Sequence, residues 1–148
     1  MKPTPDWMRQ VMRAAGVYNL GYGLLLAFYP AQTFRWLGMP HTPDVMIRCI
    51  GMMVGVYALC YWVAGSNPVK LWPLVAVGIV GKTLGPIGFF QGWLNGIFAA
   101  EGWIMIFFND VIWWLPFWWI VLHAWGREPN ALRNTLFCPV GVTREGTP

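Results

Sequence analysis

The stretch that decides the fold is VKLWPLVAVGIVGKTLGPIGFF, residues 69–90. It is long enough to cross the hydrocarbon core of a bilayer, which takes about 20 mostly apolar residues. Lys70 lies at its edge, and Lys82 is the charged residue near its middle. A segment of this length and composition predicts a transmembrane helix.

Three further stretches have the same character, and prolines lie near their ends, as expected of residues that do not continue a helix. The four predicted spans are 9–29, 44–65, 69–90 and 103–125. They predict an all-α fold, namely an integral membrane four-helix transmembrane bundle with up-down topology. The chain 1–148 is then a single transmembrane domain, and residues 126–148 form a polar cytoplasmic tail.

The composition agrees with this fold class. The chain has 148 residues, of which 57% are hydrophobic and 11% are charged, whereas a soluble domain has about 25% charged residues. These values exclude an ordinary soluble globular protein and favour the lipid bilayer as its main partner. The net charge of +4 comes without a Lys/Arg cluster of the kind that binds nucleic acid, so no nucleic-acid partner is expected.

The basic residues predict the orientation. An even number of spans places both termini on one side of the membrane. That side would hold Lys2, Arg9, Arg13, Lys70, Arg127, Arg133 and Arg144, and the opposite side Arg35 and Arg48. Because basic loops stay in the cytoplasm, we expect a multi-pass protein of the cell inner membrane with both termini cytoplasmic.

Glycines mark one face of the second and third spans. They are Gly51, Gly55, Gly78, Gly81, Gly85 and Gly88. Glycine on a transmembrane helix lets a neighbouring backbone approach closely, so we expect these residues to pack helices inside the bundle rather than to form a dimer face. Pro86 is expected to kink or locally open the third span.

Two opposite charges lie inside the predicted spans. Lys82 is near the middle of the third span and Asp110 lies in the fourth, at a similar depth by 1.5 Å per residue. A charge at this depth costs at least about 2.5–3.5 kcal/mol, so an ion pair between the two is expected. Arg48, nearer the outer surface, competes for Asp110 in this prediction.

Further polar residues fall at the same depth: Asn19 in the first span and Asn109 in the fourth, with Tyr18 and Thr83 as additional candidates. Two interpretations stay open. One is a buried ion pair that fixes only the helix register. The other is a polar pocket or proton relay, because ionisable residues inside a membrane are functional candidates by default.

Motifs of known chemistry do not appear in the sequence. There is no GxSxG, P-loop or GxGxxG, and His41 and His123 are expected on opposite sides of the membrane. We therefore predict no metal site and no catalytic residue, and the sequence identifies no cofactor.

Three features at the first two spans resemble a family pattern. They are Arg13-x-x-Gly16, Pro30 and Arg48-x-x-Gly51-x-x-x-Gly55-x-Tyr57. The pattern resembles the small four-helix bacterial membrane proteins grouped as DoxX-like. The resemblance implies a bacterial membrane protein and, for some relatives, work beside thiol or quinone oxidoreductases. This chain has no CxxC pair, which argues against a thiol-redox role.

Three functions are compatible with these features. The first is a non-enzymatic accessory subunit, or a binder of an apolar or amphipathic molecule such as a lipid, quinone or pigment, with other membrane subunits or further copies of the chain as partners. The second is a small oligomeric transporter or proton-coupled channel. The third is a membrane enzyme acting on a lipid-soluble substrate, with Asp110 as acid or base.

Overall fold

The computed structural model describes residues 4–36 and 43–127, and this part of the chain is all-helical. Four helical segments are long and apolar enough to cross a membrane. They are Asp6–Phe28, Asp44–Ala64, Trp72–Leu94 and Ala100–Trp125. The predicted all-α class with four apolar helices is confirmed. The predicted polar tail lies outside the described residues from residue 128 onward.

The helices are named in chain order. They are α1 (Asp6–Phe28), α2 (Pro30–Trp36), α3 (Asp44–Ala64), α4 (Trp72–Leu94), α5 (Trp103–Ile106) and α6 (Ile112–Trp125). A short 3-10 turn, Ala100–Gly102, precedes α5, and a π-helical turn, Phe107–Val111, joins α5 to α6. The fourth predicted span is therefore not a plain α-helix, because a wider turn interrupts it near its centre.

Prolines and one glycine set the helix ends. Pro5 and Pro43 precede α1 and α3 with ψ of 135° and 133°, an extended conformation that leads into a helix. Pro73 occupies the first turn of α4, where its missing N–H costs no intrahelical hydrogen bond. After α4 the chain reverses at Gly96, whose φ of 70° suits a residue without a Cβ.

Two connections differ from the sequence-based expectation. Pro30 follows the end of α1, as expected, but it also begins the short helix α2, which was not predicted. The third span was predicted to end at residue 90, whereas α4 continues to Leu94, and a short turn leads directly to the 3-10 turn at Ala100.

The buried apolar side chains form two clusters. The first includes Met8, Met12, Tyr61, Trp72, Val75 and Phe117, and the second consists of Leu26, Phe34, Ile47, Phe89 and Ile106. Along α1, α4 and the last helical segment, one buried polar residue falls between the members of the two clusters: Asn19, Lys82 and Asp110. The polar residues thus form a layer between two apolar regions.

α1 and α3 make the most extensive contact in the structure, and glycines make it possible. A Cβ on Gly23 would lie 2.7 Å from the carbonyl oxygen of Gly51 and 2.9 Å from the backbone nitrogen of Gly55. This is the close backbone approach that was predicted for the glycines of α3. Its partner, Gly23 of α1, was missed.

Candidate functional site

Lys82 and Asp110 form a buried ion pair. The ammonium nitrogen of Lys82 lies 3.6 Å from Oδ1 of Asp110, and the two side chains are 5% and 6% exposed. The ammonium also lies 5.9 Å from the centroid of the Tyr61 ring, within the range of a cation–π interaction. The two residues that the sequence placed at similar depth are thus brought together between α4 and the π turn.

The π turn supplies a second partner for Lys82. A π turn contains one residue more than an α turn, which shifts the hydrogen-bond ladder of the helix. In this turn the backbone carbonyl of Asn109 accepts a hydrogen bond from the ammonium of Lys82. The side-chain amide of Asn109 donates to Oδ1 of Asp110 at 2.9 Å. Asn109 therefore contacts both charged groups, and its position depends on the widened turn.

Pro86 and Trp114 hold the backbone beside Lys82. Pro86 has no N–H, so the carbonyl of Lys82, four residues earlier, lacks its usual helical partner. The indole N–H of Trp114 donates to this carbonyl at 3.0 Å. The sequence predicted a kink or a local opening at Pro86. α4 continues through the proline without an opening, with the indole of Trp114 as the replacement donor, and the kink stays a prediction.

The glycines of α4 accommodate side chains rather than a neighbouring backbone. A Cβ on Gly78 would lie 2.7 Å from the Tyr61 ring, and one on Gly81 would lie 3.1 Å from the Tyr57 hydroxyl. A Cβ on Gly85 would lie 3.0 Å from Oδ2 of Asp110. The expected backbone contact is therefore wrong at Gly78, Gly81 and Gly85, which make room for the aromatic rings and the carboxylate.

Two of the predicted packing glycines have open space where a Cβ would be. Nothing lies within 4 Å of that position at Gly88 or at Gly55. Gly55 still takes part in helix packing through its backbone, which Gly23 approaches from α1. Gly88 is exposed and has no packing role among the described residues.

Of the other predicted site residues, Asn19 lies at the site, whereas Arg48 and Thr83 do not. Asn19 is buried, 3% exposed, and lines a cavity together with Lys82 and Asp110. Arg48 does not compete for Asp110, because its guanidinium donates to the carbonyl of Ala27 in α1. Thr83 bonds the carbonyl of Ile79 within its own helix and lines an apolar groove on the outside of α4 and α6 instead.

Two cavities meet at the polar layer. One, of about 270 Å³, is lined by Asn19, Tyr57, Tyr61 and Lys82 among others. The second, of about 320 Å³, is mainly apolar and includes Phe34 and Phe89. Both cavities share the same three lining residues, Val54, Asn109 and Asp110. A bound molecule thus has access to the polar layer from an apolar region.

Both cavities border the outer surface between α3 and α4. Met46, Ile50 and Met53 line them from α3 and are 58%, 44% and 64% exposed. Their spacing of four and three residues places them on one face of the helix. Leu84 borders the smaller cavity from α4 and is 60% exposed. The opening is therefore at the side of the molecule and is lined by apolar side chains.

Several buried polar atoms around the cavities lack a hydrogen-bond partner among the described residues. They are Oδ1 of Asn19, the Tyr22 hydroxyl and Oδ1 of Asn109. Buried polar atoms are nearly always paired in proteins. Unused donors and acceptors at the inner end of an apolar cavity are what a ligand with a polar end requires.

Some residues of the site were not identified from the sequence. Tyr22, Tyr61 and Trp114 line or support it, but aromatic residues are frequent throughout this chain and give no positional signal. Within residues 4–36 and 43–127, no three His, Cys, Asp or Glu side chains come together in a way that could hold a metal ion.

Comparisons of the chain with protein-family models, with curated proteins and with solved structures found no match. The site provides an ion pair without net charge, unpaired polar atoms and an apolar entrance.

Proposed function

We propose that the protein is embedded in a membrane through its four long helices. Large apolar side chains cover the outward faces of these helices; Phe28 is 68% exposed and Leu115 is 82% exposed. In water such a surface would drive association, whereas in a bilayer it is solvated by lipid. The length and hydropathy of the four segments support the same conclusion.

The two apolar clusters support up-down topology. The first cluster combines the beginnings of α1 and α4 with the ends of α3 and α6, and the second combines the opposite ends. Successive spans that run in alternate directions produce this arrangement. Arg9, Arg13, Lys70 and Arg127 belong to the side of the first cluster, so the positive-inside rule places that side, with both termini, in the cytoplasm.

In this membrane the protein binds an apolar or amphipathic molecule, such as a lipid, quinone or pigment, and acts without catalysis of its own or as an accessory subunit. One observation supports this most directly: two cavities open sideways between α3 and α4 and meet at the buried pair of Lys82 and Asp110. A molecule dissolved in the bilayer reaches such a site without crossing water. The DoxX-like pattern supports assignment to a bacterial inner membrane.

Binding is favoured over acid–base catalysis because Lys82 and Asp110 already pair with each other. Asp110 accepts from Asn109 and pairs with Lys82, and Lys82 also donates to a backbone carbonyl. Both contacts of Asp110 are made at Oδ1, so Oδ2 can still accept a hydrogen bond from a ligand. The remaining unpaired atoms belong to neutral side chains, which orient a ligand rather than exchange protons with it.

The test is purification of the full chain in mild detergent, followed by mass spectrometry of the small molecules that remain bound. Val54→Trp fills the region where the two cavities meet. Val56→Trp is the matched control, since Val56 lies two residues away on α3 and is 61% exposed. We expect a bound molecule with the wild type and the control, and its loss with Val54→Trp. Equal recovery from all three proteins, or no small molecule from any, contradicts the proposal.

A further inference from the structure

The inner end of the larger cavity has an unequal set of hydrogen-bonding groups. Oδ1 of Asn109 is an acceptor without a partner among the described residues, and the Asp110 carboxylate beside it accepts only. The Tyr22 hydroxyl, also unpaired and lining the same cavity, can donate or accept. Lys82 lines the smaller cavity instead. Acceptors therefore outnumber donors where a ligand's polar end would lie.

We infer that the ligand of this cavity is a neutral amphiphile whose polar end is a hydroxyl group on an aromatic ring. This inference rests on the proposed binding function and specifies the chemical class of the ligand. A hydroxyl donates one hydrogen bond, to Asn109 or Asp110, and accepts one from Tyr22. A ketone or an ether accepts only, so it leaves the oxygen of Asn109 unpaired in an apolar environment.

The charge of the site selects a neutral ligand. Lys82 and Asp110 already neutralise each other at 3.6 Å. A cationic ligand would add an unmatched charge in a water-poor cavity, and a carboxylate ligand would face Asp110 at close range; both are costly. A hydroxyl meets the same acceptors with no added charge.

The walls of the cavity favour a flat ring. Phe89 and Phe98 stack with their centroids 5.2 Å apart and a 6° angle between their planes, and both line the cavity with Phe34 and Tyr22. Its volume of about 320 Å³ lies at the small end of the range for ligand pockets, about 300–1,000 Å³. A single ring with an alkyl chain directed to the opening between α3 and α4 suits these dimensions.

The experiment compares 4-octylphenol with 4-octylanisole, its methyl ether, which has the same ring and chain but no donor. Binding of each is titrated to the full chain in detergent and measured by native mass spectrometry. We expect a Kd roughly tenfold lower for the phenol, the ratio that corresponds to about 1.4 kcal/mol. Tyr22→Phe removes a donor that both probes can use, so it should weaken the binding of both and leave this preference intact. Tyr29→Phe, at an exposed tyrosine that does not line the cavity, should change neither.

The outcomes separate the inference from the proposed function. Tyr22→Phe removes an unpaired hydroxyl, so the variant should fold at least as well as the wild type. Equal affinity for phenol and ether, with both lost in Val54→Trp, overturns the hydroxyl inference and leaves the binding function intact. Failure of both probes to bind, or binding that Val54→Trp does not reduce, overturns both.

Discussion

At the scale of single residues, the site depends on two buried charges, which are stabilised by each other and by groups of the surrounding helices. Lys82 and Asp110 are both buried, and burying either charge without the other would cost about 3 kcal/mol or more. The free-energy cost of burying these two charges is reduced by the ion pair, by the hydrogen bonds with Asn109 and by the contact of Lys82 with the Tyr61 ring. The stability of each charge therefore depends on the other, which distinguishes this pair from a salt bridge at the surface.

Lys82→Met should destabilise the protein by about 3–5 kcal/mol, because it leaves the Asp110 carboxylate buried without its cation. The double variant Lys82→Met with Asp110→Leu should recover most of this loss, since no charge remains to be solvated. Unfolding in mixed micelles, followed by circular dichroism, measures both. Lys70→Met, at an exposed lysine, is the control. Equal losses in the single and double variants would contradict the expected recovery.

The residue scale also shows what the sequence predicted about the site and what it missed. Lys82 and Asp110 could be predicted together because both are charged, both lie in apolar spans and depth follows from the rise per residue. Arg48 was assigned wrongly as a competitor for Asp110, because depth alone does not say which neighbouring helix a long side chain reaches. It bonds the Ala27 carbonyl of α1 instead.

At the scale of helices, glycine spacing indicates a face but not what packs against it. In α3 that face meets the backbone of α1 at Gly23, as expected for close helix packing. In α4 the same kind of spacing provides room for Tyr57, Tyr61 and Asp110. The π turn had no signal in the sequence either, since one additional residue in a turn leaves the composition of the helix unchanged.

Gly23→Ala should destabilise the protein by about 1–3 kcal/mol, because the added methyl overlaps the backbone of α3 and forces the helices apart. Gly21→Ala, two residues away on the same helix, has nothing within 4 Å of its Cβ position and should be neutral or stabilise the protein by about 0.5–1 kcal/mol. Thermal unfolding of the two variants in detergent tests this difference. Similar melting temperatures would contradict the close contact between α1 and α3.

Trp114→Phe should lower the free energy of unfolding by about 1 kcal/mol, since the Lys82 carbonyl loses its hydrogen-bond donor. In a Pro86→Ala background the N–H of residue 86 can bond that carbonyl, so the same substitution should cost much less. The coupling between the two positions, measured by unfolding of all four proteins, tests the compensation. Trp119→Phe, at a 66% exposed position, controls for loss of an indole. If the losses of stability caused by the substitutions at positions 86 and 114 are additive, Trp114 does not compensate for the missing N–H of Pro86.

At the scale of the whole molecule, the polar layer separates two apolar clusters, and the two ends of the protein differ in charge. The number and approximate limits of the four long helices followed from hydropathy, since a bilayer imposes a minimum length on every span. The short helix α2 could not be predicted from hydropathy, because its seven residues, which begin with Pro30, are too few to show a clear periodicity.

The proposed orientation predicts which turns are accessible from outside the cell. In a background with all three cysteines replaced by alanine, Asn95→Cys should react with a membrane-impermeant maleimide on intact bacteria. Ser66→Cys should react only after the membrane is permeabilised, since the proposed orientation places its turn on the cytoplasmic side. Both residues are exposed in turns at helix ends, so steric protection does not explain a difference. The reverse pattern would invert the proposed topology.

The π turn has a consequence for how the last helix is aligned. One surplus residue between Phe107 and Val111 rotates everything after it by about 100° relative to an unbroken α-helix. Trp114 and Phe117 point at α4 and α3 only because of that offset. The single additional residue thus sets which face of α6 points at α4 and α3, and with it the packing around Lys82. The insertion or deletion of one codon in frame is enough to create or remove this offset.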